Sequence, residues 1–358
     1  MEPLTVASGR QRILGVIRCY DFFSATSEVH GVGGTGTVMC THQARCARWQ
    51  ASAHPGVTSP PSPTPMTTLH NPSPGLARRI LCSPPARVLV PGFILLLMMG
   101  LNGDVMASYA DEPLKAIQHI MALAIAGLAV YIGYGRLVEQ RDVSELSVPG
   151  MGRELGAGLA IGAGLYAACE LVLMALGIYR IEGLNPLRYM VPAIAMALSS
   201  SVFEELLFRG VLFRAVETWF GSWVALVVSS LVFGLTHLIN PQATLMGALF
   251  IAVEAGTLLA AAYMLTRRLW LSIGFHMAWN YTQSAIFSGI VSGNEAQQGL
   301  IRSTVNGPVW LTGGNFGVES SVLALVLCTT TGIVMLTMAV KRGNIVPPIW
   351  KRPAISAA

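Results

Sequence analysis

The chain has 358 residues, of which 53% are hydrophobic and 11% are charged. Soluble domains carry about 25% charged residues, so this composition excludes an ordinary soluble domain and indicates a protein with several membrane spans. The formal net charge is +5, but the basic residues lie mainly between hydrophobic segments, where positive charge sets membrane topology. We therefore expect the lipid bilayer, and no nucleic acid, among the partners of this protein.

Residues 1–85 differ in composition from the rest of the chain. They hold no long apolar run, and residues 59–65 read Ser-Pro-Pro-Ser-Pro-Thr-Pro. No signal peptide is expected, because no basic segment is followed by a continuous apolar core. A stretch of this kind cannot bury enough apolar surface to fold. We predict a disordered, low-complexity N-terminal extension.

The six cysteines do not form the pattern of a disulfide framework. Cys169 and Cys328 lie in apolar segments, where a buried free thiol is the ordinary interpretation. The other four are scattered in the N-terminal extension, and their spacing matches none of the usual zinc patterns. These four are Cys19, Cys40, Cys46 and Cys82.

Apolar runs of about 20 residues, the length that crosses a bilayer, recur from Val88 onward. Eight segments qualify, approximately 88–109, 115–135, 154–177, 189–216, 222–240, 243–266, 269–291 and 320–340. Backbone groups in lipid must be satisfied within each segment, which requires helices. The sequence thus predicts an all-α fold: a polytopic transmembrane helical bundle of about eight spans over residues 86–343, followed by a cytoplasmic tail over residues 344–358.

The basic residues favour one side of this bundle. If all eight segments span, the side that holds both termini carries most of them: Arg78, Arg79, Arg87, Arg136, Arg141, Arg153, Arg214, Arg267, Arg268, Lys341, Arg342, Lys351 and Arg352. The opposite side carries only Lys115, Arg180, Arg188 and Arg302. Because positive residues accumulate on the cytoplasmic side, we predict a multi-pass protein of the cell (inner or plasma) membrane with both termini in the cytoplasm.

Three short motifs place polar and ionisable groups inside predicted spans. They are Glu204-Glu205-x-x-x-Arg209, Phe233-x-x-x-His237 and His276-x-x-x-Asn280. An ionisable side chain in hydrocarbon is costly, and within a span it indicates a functional site. Residues four apart share a helix face, and the helical rise allows the groups on the separate spans to meet at one depth in the bundle.

The paired glutamates suit acid–base chemistry. Glu205 and Arg209 are four residues apart and can form an ion pair, whereas Glu204 projects about 100° away from Glu205. One carboxylate can therefore be held ionised while the other acts as a general base. Interhelical hydrogen bonding is the alternative role for such polar residues, and Phe233 is expected to pack. Two further intramembrane carboxylates, Glu170 and Glu254, are left outside the predicted core site.

The three motifs in this order resemble those of the CPBP family of intramembrane metalloproteases, the group of type II CAAX prenyl endopeptidases and bacteriocin-processing or abortive-infection (Abi-like) proteins. The resemblance covers about residues 185–290. The stretch 310–317 also looks like a glycine-rich loop common in bacterial members. The resemblance implies an all-helical membrane domain and hydrolysis of a peptide bond within the membrane by an activated water.

Roles for individual residues follow from the same resemblance. Glu204 would be the general base and His237 would share or orient the water, while His276 and Asn280 would stabilise the oxyanion. Glu205 and Arg209 would support the site.

The resemblance also implies a divalent metal such as zinc, with Glu204, His237 and His276 as its ligands. No His-Glu-x-x-His helix is present, so three different helices would have to supply these ligands. Water activated by glutamate without a metal is the alternative.

The sequence thus favours an intramembrane endopeptidase acting on a membrane protein or peptide. Two other functions stay open. One is a non-catalytic membrane scaffold of the same fold. The other is a proton-coupled transporter, since carboxylates and histidines in spans also form proton relays. A transporter would favour inverted repeats and discontinuous helices, and the sequence shows neither. Nothing in it identifies the substrate or a prenyl-binding groove.

Overall fold

A computed structural model describes residues 80–352 except Cys82 and Pro84. Nearly all of the N-terminal extension predicted over residues 1–85 lies outside the described residues, as do its four cysteines and the last six residues of the chain. Cys169 and Cys328 are buried free thiols, as predicted.

The described part of the chain folds into long helices. In chain order they are α1 (Ala86–Ser108), α2 (Pro113–Gly133), α3 (Met151–Ala175), α4 (Pro192–Glu205), α5 (Arg214–Thr236), α6 (Leu245–Ile251), α7 (Thr257–Thr266), α8 (Trp270–Tyr281) and α9 (Val322–Lys341). Wider π-helical turns continue several of them. Leu206–Phe213 joins α4 to α5, Ala252–Gly256 joins α6 to α7, Tyr134–Val138 extends α2 and Thr282–Ile286 extends α8.

Local sequence explains where several helices begin. Pro113 and Pro192 occupy the first positions of α2 and α4, where proline has the correct φ and its missing N–H is not needed. The side chains of Thr244 and Ser321 accept backbone N–H groups at the starts of α6 and α9, which satisfies donors that have no partner within the helix.

The helical membrane fold is confirmed. Six helical stretches in the described residues are long and apolar enough to cross a membrane. One of them, Leu187–Ile239, has 53 residues and breaks at Gly221, where φ is 79°. It therefore contains two of the predicted spans. The predicted span over 269–291 corresponds to α8 and its π turn, which are shorter than those six stretches.

A two-stranded antiparallel sheet is an addition that the all-α prediction missed. Strands β1 (Tyr179–Leu184) and β2 (Ile301–Val305) pair with Tyr179 opposite Val305 and Leu184 opposite Ile301. The strands lie in the connections after α3 and after α8, about 120 residues apart by the pairing of Gly183 with Arg302. A strand this short is stabilised by its partner, and sequence periodicity alone does not identify that partner.

Glycines set the closest helix pairing, between α3 and α8. A Cβ at Gly158 would lie 2.3 Å from the backbone oxygen of Leu271, and one at Gly162 would lie 2.3 Å from that of Phe275. Gly274 makes the reciprocal approach to Leu155. Small residues four apart let two membrane helices pack backbone to backbone. This packing holds α8, the helix that carries His276 and Asn280.

Large apolar side chains cover the outside of the bundle. On α1, Leu89, Phe93, Leu97 and Leu101 are all exposed. A contiguous exposed apolar surface of this kind marks contact with a membrane or a partner, and on helices of spanning length it faces lipid. The polar groups of the three motifs, by contrast, lie inside the bundle.

Candidate active site

The two glutamates at the end of α4 have different surroundings. Glu205 is fully buried, and Nη1 of the buried Arg209 donates to its Oε1 at 2.7 Å. The predicted ion pair is therefore present. Arg209 also donates to the backbone oxygen of Gly256 at 3.1 Å and stacks over the ring of Phe233 at 4.5 Å. Glu204 is only partly buried and lies outside this pair.

His276 on α8 lies between these glutamates. Its Nδ1 is 3.2 Å from Oε1 of Glu205, and its Nε2 is 3.9 Å from Oε2 of Glu204. Because an ionised carboxylate only accepts hydrogen bonds, Nδ1 must carry the hydrogen in the contact with Glu205. Arg209 and Glu205 thus fix the orientation of the imidazole ring, and its Nε2 is turned toward Glu204.

His237 follows the end of α5 and has a defined tautomer. Its Nδ1 is 2.8 Å from the backbone oxygen of Phe233, and a carbonyl only accepts, so Nδ1 is the donor. Nε2 is therefore the ring nitrogen left for other partners. The ring of Phe233 lies 4.9 Å from that of His237 and 6.0 Å from that of His276. Phe233 packs between the histidines, as predicted.

Asn280 lies one turn beyond His276 and is tied to α4. Its Nδ2 donates to Oγ of Ser200 at 3.0 Å, and Ser200 lies one turn before Glu204. Ser200 was not predictable as a site residue, because a serine in a membrane helix carries no distinctive signal. The structure thus brings Glu204, Glu205, Arg209 and His276 into direct contact, with His237 and Asn280 joined to this group through Phe233 and Ser200.

Comparison with known proteins identifies the part of the chain that holds this arrangement. Residues 186–282 match the family model described as type II CAAX prenyl endopeptidase Rce1-like. We refer to these residues as the Rce1-like domain, after the model that they match. The match contains all three motifs and supports membership of the CPBP family, as the sequence predicted. No curated protein and no solved structure matches the chain.

The Rce1-like domain contributes most of a small cavity at the centre of the bundle. His237, His276 and Asn280 line it together with Glu254. The cavity volume is about 20 Å³, which is close to the room that one water molecule requires. Neither carboxylate oxygen of the buried Glu254 has a hydrogen-bond partner among the described residues. Glu254 therefore belongs to the cavity wall, whereas Glu170 accepts from Tyr166 at 2.8 Å and is not part of that wall.

Three residues of the cavity wall lie outside the Rce1-like domain, namely Ser292, Glu319 and Cys328. Glu319 precedes α9 and lines the same cavity. It accepts from Nε1 of Trp279 at 3.0 Å and from Oγ of Ser292 at 2.8 Å. Glu319 was not predictable as a site residue, because it lies in a polar connection where a glutamate is ordinary. The neighbouring glycine-rich loop over residues 310–317 is the one sequence signal for this region.

That loop packs against the connection after α8. The backbone oxygen of Phe316 accepts from the backbone N–H of Gly293 at 2.8 Å. Gly317 has φ of 103°, and a Cβ there would lie 2.1 Å from the backbone oxygen of Ile290. A side chain does not fit so close a backbone approach, which explains the glycine. The loop therefore positions Ser292 and Glu319 at the cavity.

The predicted metal ligands are not arranged as a metal site. Zinc sites use at least three protein ligands placed about 2 Å from the ion. Among the residues that the structure describes, no group of three His, Cys, Asp or Glu side chains could hold a metal ion. Glu204 and His276 lie together, but His237 does not complete a three-ligand set with them. The residues as placed do not fit a zinc ion, and no step below is assigned to one.

Proposed function

We propose that the protein is an intramembrane endopeptidase that hydrolyses a peptide bond of a membrane-associated protein or peptide. The observation that supports this most strongly is the position of His276 between Glu204 and Glu205, with Arg209 anchoring the group from the other side. His276 and Asn280 also line the water-sized cavity, and pre-oriented acid, base and donor groups suit hydrolysis. The relation to membrane endopeptidases supports the same proposal.

In the proposed mechanism Glu204 acts as the general base. It removes a proton from a water molecule whose oxygen attacks the carbonyl carbon of the scissile bond. The lone pair on Nε2 of His237 orients this water by accepting its other hydrogen. Glu204 then transfers the proton to the departing amine nitrogen as the carbon–nitrogen bond breaks.

The developing oxyanion requires donors on the other side of the carbonyl. Nδ2 of Asn280 has a second hydrogen beyond the one donated to Ser200. An imidazolium at His276 donates from Nδ1 to Glu205 and retains an N–H on Nε2. Preorganised donors of this kind stabilise a tetrahedral intermediate by about 3–4 kcal/mol each. Glu205 and Arg209 act as positioning residues, since they contact His276 and not the substrate.

The decisive experiment compares the N-termini of membrane proteins in host cells that express the wild type or Glu204→Gln at equal levels. We expect new N-termini with the wild type that disappear with Glu204→Gln. Glu295→Gln, a change at an exposed glutamate, is the control and should process normally. Identical sets of N-termini from all three strains, together with rescue of a deletion phenotype by Glu204→Gln, would favour the scaffold function instead.

A further inference from the structure

A second and larger cavity lies at one end of the bundle, away from the proposed active site. Its volume is about 340 Å³, and no residue of its wall belongs to the wall of the central cavity. Four arginines line it: Arg141, Arg214, Arg267 and Arg352. They come from the segments after α2, at the start of α5, after α7 and after α9. Distant parts of the chain thus place four guanidinium groups around one space.

Two carboxylates in the wall compensate only part of this charge. Glu145 accepts from Arg141, and Glu217 accepts from Nη1 of Arg267 at 2.8 Å and from its Nη2. Glu139, which is not part of the wall, pairs with both Arg141 and Arg214. Arg352 forms no ion pair with any carboxylate among the described residues. The cluster therefore keeps a surplus of positive charge.

Several donors of these arginines are unused. Nη1 of Arg214 and Nη1 of Arg352 have no hydrogen-bond partner in the described part of the chain, whereas the other groups of Arg352 donate to the backbone oxygens of Pro347, Glu217 and Thr218. A guanidinium group has five N–H donors in a planar fork that matches two oxygens of a phosphate group. These residues can therefore bind an anion without breaking their present contacts.

The segment after α9 forms one wall of the cavity and is held in place by backbone contacts. Ser222 and Val346 exchange two hydrogen bonds at 3.0 and 2.8 Å, and Asn344 donates to the backbone oxygens of Met264 and Leu265. A Cβ at Gly221 would lie 2.7 Å from the backbone oxygen of Val346. The wall that carries Arg352 is thus built into the fold rather than being a loose tail.

We propose that this cavity is a binding site for a phosphate-bearing anion. Its volume exceeds what a single carboxylate group fills, and four converging arginines suit a multiply charged phosphate group. The connecting segments around it lie at the ends of membrane spans. The headgroup of an anionic phospholipid and a free phosphate compound share the chemistry that these arginines recognise. The proposal does not depend on the proteolytic function.

The test measures thermal unfolding of the purified full-length protein in detergent. We expect pyrophosphate, or phosphatidylglycerol added to the micelles, to raise the unfolding midpoint, because a ligand that binds the folded state stabilises it. Arg352→Gln should raise the half-saturating ligand concentration about tenfold or more, since it removes charge-assisted hydrogen bonds to the ligand. Lys351→Gln, at an exposed residue of the same turn outside the cavity, should behave as the wild type.

The outcomes separate the sources of the phosphate. Stabilisation by phosphatidylglycerol but not by pyrophosphate identifies a lipid headgroup, and the reverse identifies a soluble phosphate compound. Arg352→Lys keeps the charge but loses the fork, so it should bind with intermediate affinity and serves if Arg352→Gln does not fold. No stabilisation by either compound, or equal stabilisation of the wild type and both Arg352 variants, would overturn the proposal.

Discussion

Glu204 and Glu205 are adjacent in sequence, yet the fold gives them separate tasks. Glu205 is enclosed with Arg209 and His276, whereas Oε2 of Glu204 has no hydrogen-bond partner among the described residues. An ionised group that is fully buried requires its partner, because desolvation is otherwise uncompensated. The carboxylate of Glu204 can therefore be replaced without loss of stability, whereas that of Glu205 cannot.

Glu205→Gln should reduce the free energy of unfolding by about 3–5 kcal/mol, because it leaves the buried charge of Arg209 without its counter-ion. Glu204→Gln should change it by less than about 0.5 kcal/mol. Reversible unfolding in mixed detergent micelles measures both values. Equal destabilisation by the two variants would contradict the division of roles.

Asn280→Ala should lower kcat about 100-fold with little change in KM, since an oxyanion donor acts mainly in the transition state. Ser200→Ala should give a smaller decrease in kcat, because the amide remains but loses its anchor. Steady-state kinetics on a peptide substrate, once one is known from the N-terminal comparison, separate kcat from KM. A rise in KM alone would instead indicate that Asn280 binds the ground state.

At the scale of helices, close packing places the two halves of the site. The helix α8 carries His276 and Asn280, and its position depends on the glycine contacts with α3. Glu204 lies on α4, which α8 also contacts directly. The depth of the histidine relative to the glutamates is therefore set by how closely α3 and α8 approach.

Gly162→Ala should destabilise the protein by about 1–3 kcal/mol, because the added methyl group overlaps the backbone of Phe275. It should also reduce activity by moving His276 away from Glu204. Gly164→Ala on the same helix is the matched control, since a Cβ there has nothing within 4 Å. Thermal unfolding and processing assays on both variants test this. Normal behaviour of Gly162→Ala would show that the helices can separate without consequence.

For the whole molecule, the arginines of the connections fall into separate groups. Arg141, Arg214, Arg267 and Arg352 meet around one cavity, whereas Arg180 and Arg302 lie on the paired strands β1 and β2 in other connections. The count of basic residues predicts that these two groups lie on opposite sides of the membrane. The excess of positive charge makes the four-arginine end the cytoplasmic one in our proposal.

We accordingly expect tags at both termini to be protected from protease in intact cells and cleaved after the cytoplasm is opened. A cysteine introduced at the exposed Arg302 should react with an impermeant thiol reagent in intact cells. Labelling at this position and protection of both tags together test the orientation. If protease cleaves the tags in intact cells and the cysteine at position 302 does not react with the reagent, the orientation is the reverse of the one proposed.

The ion-pair network at the four-arginine end should make stability depend on pH. Burial alone would raise the pKa of Glu145, but hydrogen bonds from Arg141 outweigh it and lower that pKa below 4.5. A carboxyl group whose pKa is lower in the folded state contributes stability above its unfolded value and loses it as the pH falls through the folded value. Wild-type stability should therefore decrease below about pH 4.5, and Glu145→Gln should be less stable at pH 7 with a weaker dependence in acid. Unfolding midpoints from pH 7 to 3 measure the effect.

The sequence by itself determined the helical membrane fold and the family to which residues 186–282 relate. Long apolar runs in lipid have few ways to satisfy their backbone, and three motifs in order are visible in one chain. The Glu205–Arg209 pair was also predictable, because it lies on one helix and depends only on helical spacing.

Only the tertiary structure decided which groups meet. Ser200 and Glu319 reach the site through contacts 80 and 40 residues away in sequence, and the partner of strand β1 lies more than 100 residues later. The metal ligands stay a prediction, since no three of the described His, Cys, Asp or Glu side chains are grouped closely enough to hold an ion. Helical periodicity reports on neighbours three or four residues apart. Which faces of different helices pack together depends on small residues and loops, and their effect appears only in the folded chain.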